Sequence, residues 1–144
     1  MPIASRLESV RCMGKIRVLL ADDHQAVLDS VCRILDEDFD IVGTVNNGQE
    51  AVVAGLSLDP DVLVIDISMP VINGLQATQR IRAKNRHTKI VFLTVHNDED
   101  LVAAAFSSGA SGYVIKADLT TDLVPAIHQA VVGGTYISKS IITS

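Results

Sequence analysis

The chain has 144 residues, 48% of them apolar and 20% charged, with aromatics at 3% and no Trp, which suits one ordinary globular domain with an aliphatic core. A net charge of −5 argues against a chain that grips nucleic acid through its phosphates. No apolar run approaches membrane-spanning length, "MPIASRLESVRCMGK" lacks a signal-peptide core, and Cys12 and Cys32 lack metal-site spacing, so the reading is a soluble cytoplasmic protein with reduced thiols.

Residues 1–14 read as a flexible extension. The first apolar run, "IRVLLA" at residues 16–21, ends in two adjacent acids, Asp22 and Asp23. A helical stripe follows through Val27, Leu28, Val31, Ile34 and Leu35. A weaker strand, "DIVGTV", spans residues 40–45, and a helix over 48–58 comes next. "VLVI" at 62–65 is the third strand and leads into Asp66. Helices over 75–82 and 98–108 flank the fourth strand, "KIVFLT" at 89–94. "GYVI" at 112–115 is the fifth strand, and Leu123, Val124, Ile127, Ala130 and Val131 stripe the last helix, closed by Gly133-Gly134. Short β-branched runs alternating with helices predict a parallel sheet covered on both faces.

In open α/β sheets, ligands bind beyond the carboxyl ends of the strands. Four of the five predicted strands deliver a charged or reactive group there: Asp22 and Asp23, Asp66, Thr94, and Lys116. Three carboxylates close together need compensation. An oxygen-only ligand set with few carboxylates suits Mg²⁺, and with Lys116 the charges balance. The Thr94 hydroxyl could then bond an incoming oxyanion. The set fits phosphoryl transfer onto a carboxylate. Singly, each residue has a plainer reading: the acid pair as the cap and first turn of a helix, Asp66 as a turn residue, Lys116 as a solvated charge.

Together, "LLADDH", "VLVIDISMPVINGL", "IVFLTVH" and "ASGYVIKA", in that order, resemble the receiver domain of two-component response regulators, over residues 15–134. The resemblance implies a flavodoxin-like doubly wound (βα)5 sandwich with a parallel five-stranded sheet in the order 2-1-3-4-5. It implies that Asp66 is the phosphoacceptor, supplied by a phosphohistidine on a sensor histidine kinase. Asp22, Asp23, Asp66 and the backbone carbonyl of Ser68 would hold Mg²⁺, Asp22 largely through bound water. Lys116 and Thr94 would contact the phosphoryl group, and Tyr113 would move inward with Thr94. Such a domain is a switch rather than an enzyme, catalysing at most its own phosphorylation and slow dephosphorylation.

"DDHQAVLDSV" and "AVVGGTYIS" further resemble the NarL/FixJ-type branch, whose members commonly carry a DNA-binding helix-turn-helix. Residues 135–144 then read as the start of a linker to such a domain, DNA contact as a property of that absent domain, and homodimerisation as the response to phosphorylation. No membrane partner is implied. Ser68 and Val95 flank the site and are expected to modulate access to it. Ala117 stands where many relatives have Pro. His24 reads as a structural or capping residue. Two other readings stand beside it: an aspartate-nucleophile phosphatase, opposed by Ser68 where such enzymes carry a second Asp, and a degenerate receiver acting as a constitutive binding module, opposed by the complete set Asp22, Asp23, Asp66, Thr94 and Lys116.

Overall fold

The computed structural model describes residues 15–142. The extension expected at residues 1–14, Cys12 included, lies outside them. Strands β1 (Ile16–Ala21), β2 (Phe39–Val45), β3 (Val62–Ile65), β4 (Lys89–Thr94) and β5 (Gly112–Ile115) alternate with helices α1 (Gln25–Leu35), α2 (Gly48–Leu58), α3 (Gly74–Arg82), α4 (Glu99–Ser107) and α5 (Leu119–Val131). A 3₁₀ turn, Lys116–Asp118, joins β5 to α5, and a two-residue strand β6 (Tyr136–Ile137) and a short helix α6 (Lys139–Ile142) follow.

All pairings are parallel, in the order β2-β1-β3-β4-β5-β6. The sheet therefore has six strands, not the five expected. Tyr136 and Ile137 pair with Gly112 and Tyr113, where the sequence reading placed a linker. Two apolar residues carry no periodicity to read, and their pairing comes from backbone groups that β5 leaves open. No helix among the described residues is long and apolar enough to cross a membrane.

Residues of β3 and β5 are all buried, as both-face coverage requires. Alternation sorts the core into two layers. Val18, Leu20, Val62, Val64, Val91, Leu93 and Val114 meet α1 and α5. Leu19, Ala21, Leu63, Ile65, Ile90, Phe92, Tyr113 and Ile115 meet α2, α3 and α4. β2 is an edge strand with mostly half-buried residues, hence its weak apolar pattern, and it slips by one residue against β1, where Val42 is skipped between Ile41 and Gly43.

Helix starts follow from local hydrogen bonding. The Asn47 side chain accepts from Glu50 N at 2.8 Å, and the Asp98 side chain from Leu101 N at 2.7 Å. Asn73 and Gln76 form a reciprocal capping box. α1 instead starts at His24, whose side chain makes no capping bond; neither acid of the pair caps that helix.

Candidate functional site

After β2 the chain passes back over β1 to form β3 on its far side, so the loops leaving β1 and β3 diverge and open a crevice at their carboxyl ends. The ladder runs on into the loops: Asp22 N donates to Val45 O at 3.1 Å, and Asp66 N to Ala21 O at 2.9 Å. Backbone pairing thus sets Asp66 beside Asp22.

Asp22 is 2% exposed and Asp66 3%, while Asp23 opens to solvent. Lys116 Nζ lies 2.9 Å from Asp22 Oδ2 and 3.1 Å from Asp66 Oδ2. Asp66 Oδ1 accepts from Ser68 N at 3.2 Å. Asp22 Oδ1 accepts from His24 N at 2.9 Å, and the His24 ring faces both Asp22 and Asp23. One ligand atom each from Asp22, Asp23, His24 and Asp66 lie within 4.8 Å of one another.

Burial raises the pKa of Asp66, Asp22 adds to the rise, and Lys116 and Ser68 N only partly oppose it. Burial pulls Lys116 down, but its contact with Asp22 and the two carboxylate charges outweigh that and leave it raised. The pocket is thus short of positive charge: three carboxylates face one ammonium. Oxygen donors and surplus negative charge fit a hard divalent cation such as Mg²⁺. His24 adds a nitrogen, which Mg²⁺ does not prefer.

The other expected residues lie at the ends of β3, β4 and β5 and in the loops that follow them. Thr94 is fully buried at the end of β4, and its Oγ1 accepts from His96 N at 3.1 Å. Tyr113 is fully buried and donates its hydroxyl to His96 O at 2.8 Å; its pKa, pushed up to about 12 by burial and by Asp98, keeps it a donor. Ser68 is exposed, and Val95 is 68% exposed. Ala117 lies in the 3₁₀ turn after β5.

His96 was not singled out from the sequence. Its ring Nε2 shares a 3.0 Å hydrogen bond with Ser68 Oγ, so it joins Ser68, Thr94 and Tyr113. Its signal was register: Ile65 beside Phe92 launches the β3 and β4 loops side by side.

A parallel α/β sheet with a buried Asp, two neighbouring acids, a bridging Lys and a buried Thr along its carboxyl edge has the architecture of a flavodoxin-like receiver domain. Residues 18–128 match the response regulator receiver domain, and the chain belongs to that family. It is 35% identical over 126 residues to the nitrate/nitrite response regulator protein NarL of Escherichia coli (strain K12), covering 86% of this chain and 58% of that one. The chain thus spans under two thirds of that curated relative. It is similar to a two-component response regulator of the LuxR family from Aurantimonas sp. SI85-9A1, with a TM-score of 0.85, 30% identity, and 90% and 94% of the two chains covered. It is also similar to the isolated REC domain of RcsB from Salmonella enterica serovar Typhimurium, solved with the phosphomimetic BeF3−: TM-score 0.82, 26% identity, 90% and 98% covered.

Proposed function

We propose that this receiver domain accepts a phosphoryl group on Asp66 from the phosphohistidine of a sensor histidine kinase, and that the modified domain switches a transcriptional output. The Asp66 carboxylate forms the new P–O bond as the P–N bond of the donor breaks, its electron pair going to the imidazole. The observation that carries this reading is the buried Asp22–Lys116–Asp66 arrangement. It holds the acceptor oxygen beside a fixed cation and leaves negative charge for a divalent ion to offset.

Asp22, Asp23 and Asp66, with the Ser68 carbonyl, would hold Mg²⁺, which supplies charge neutralisation for the phosphoryl oxygens. Lys116 pairs with the same oxygens from the protein side. Thr94 donates its hydroxyl to the new phosphate, and Tyr113, already inside, holds the β4 loop through His96. Ser68 and Val95, at the mouth, govern how water reaches the acyl phosphate. The added charge, about −1.5 to −2, biases the β4 loop and the face beyond it. Homodimerisation is the proposed consequence, and DNA is reached through a helix-turn-helix outside residues 1–144. Cytoplasmic location follows from that role.

Acetyl phosphate with Mg²⁺, read by intact mass, tests the proposal. A single phosphate adduct that is lost in Asp66→Ala supports it. Turnover of a small phosphate ester would make the protein a phosphatase, and failure to label with any donor would make it a constitutive binding module.

A further inference from the structure

Strand β5 carries Tyr113, leads directly into Lys116, and is held along its outer edge by a segment the pocket does not use. Ser138, fully buried, donates its N–H to Tyr113 O at 2.9 Å, and its Oγ accepts from Ile115 N at 2.9 Å. In a regular parallel ladder the Ser138 carbonyl would take the Ile115 N–H. That carbonyl has turned away to accept from Ile141 N at 3.1 Å, at the start of α6. The hydroxyl stands in for it, so the chain leaves the sheet without orphaning a buried donor.

Ile115 immediately precedes Lys116. Two residues past Lys116, Asp118 Oδ2 accepts from Ser140 Oγ at 2.7 Å. The pocket's cation is therefore bracketed by two hydroxyls from one short segment. Tyr136 donates to Asp122 Oδ1 at 2.9 Å and packs on one core layer, while Ile141 packs on the other.

We propose that residues 136–142 are coupled to the acid pocket through Ser138 and Ser140, so that this segment reads the charge state of Asp66. The coupling rests on Asp66 being the phosphoacceptor. Added negative charge at Asp66 holds Lys116 more firmly, and the end of β5 then fluctuates less. The Ser138 clamp opens by exposing the Ile115 N–H, so it opens less often when that strand end is tighter.

Amide hydrogen exchange of the 144-residue chain, with and without acetyl phosphate and Mg²⁺, tests this, with intact mass read on the same samples. Exchange across residues 136–142 is expected to slow by about threefold or more in the adduct. Ser138→Ala should still form the adduct but lose that difference, and Ser138→Thr, which keeps a hydroxyl, should restore it. Ser140→Ala, at an exposed site, should lose part of the slowing and serves if Ser138→Ala does not fold. An adduct with unchanged exchange in this segment overturns the coupling alone. So does a Ser138→Ala protein that exchanges faster in both states by the same factor, since that marks a merely structural bond. Absence of any adduct in the parent overturns the acceptor role of Asp66 and the coupling with it.

Discussion

The ammonium of Lys116 stands 3.1 Å from the carboxylate of Asp66, fifty residues away in the chain, and also contacts Asp22. It is the cation that makes two buried carboxylates tolerable side by side. Removing one partner of a buried ionic group costs about 3–5 kcal/mol when the remaining charge stays unpaired. Lys116→Ala should therefore fold with stability reduced by an amount of that order in metal-free buffer. Mg²⁺, binding the folded state, should restore part of it. Urea denaturation with and without MgCl₂ measures both. A variant as stable as the parent in metal-free buffer would show that Lys116 does not carry this compensation.

Asp66 is ionised at a cost to the fold, because burial and Asp22 raise its pKa despite Lys116. A carboxyl whose folded pKa lies above its unfolded value favours folding when protonated. That contribution is complete below the ordinary Asp range, near pH 4, and is lost as pH rises through the folded value. Asp66→Asn should accordingly melt a few degrees higher than the parent at pH 7–8 without divalent ions. The gain should shrink toward pH 4. Thermal melts across that range decide it, and a variant less stable at pH 8 would contradict the direction.

The loop that carries Asp66 is closed by Gly74, whose N–H donates to Ile67 O at 2.7 Å. A Cβ at Gly74 would collide with the backbone carbonyl of Asp66 and approach Ile67 Cα at 2.9 Å. Gly74→Ala should cost about 1–3 kcal/mol, as overpacking against rigid backbone does. It should also slow adduct formation, because the acceptor itself is displaced. Denaturation and the labelling rate at fixed acetyl phosphate would show whether the two effects travel together; normal labelling would mean the loop yields elsewhere.

Val71, in the same loop, has φ 74° and is 74% exposed. A β-branched residue in the left-handed region carries steric strain of about 1–2 kcal/mol, and this one recovers little by burial. Val71→Asn, which tolerates that backbone, should raise stability by about 1 kcal/mol. A loss of stability on urea titration would mean that the Val71 side chain makes compensating contacts.

The core of the fold was legible because both faces of the central strands are buried. Such strands are written as unbroken apolar runs, and the end of each run marks where the next polar residue lands. "VLVI" leads into Asp66 and "KIVFLT" ends at Thr94, so the sequence alone assigns the two residues to one edge. The sixth strand was not legible, since "YI" is too short for periodicity and its anchor is a serine hydroxyl replacing a carbonyl. His96 stayed hidden for a related reason: its three bonds depend on which loops lie abreast, a property of strand register rather than of local sequence. Charge balance was legible in kind, because acids and a lysine were visible at strand ends. That burial would push the pKa of Asp66 up appeared only in three dimensions.

The edge strand also bears on how the domain behaves at high concentration. Without Tyr136–Ile137 and Ser138, the outer rim of β5 would present open carbonyls at Ser111 and Tyr113 and an open donor at Ile115, next to apolar surface now covered by Tyr136 and Ile141. Bare rims of that kind template intermolecular sheet growth. A polypeptide ended at Gly134, the point suggested by the glycine pair, should therefore precipitate or self-associate where one ended at Ile142 stays monodisperse.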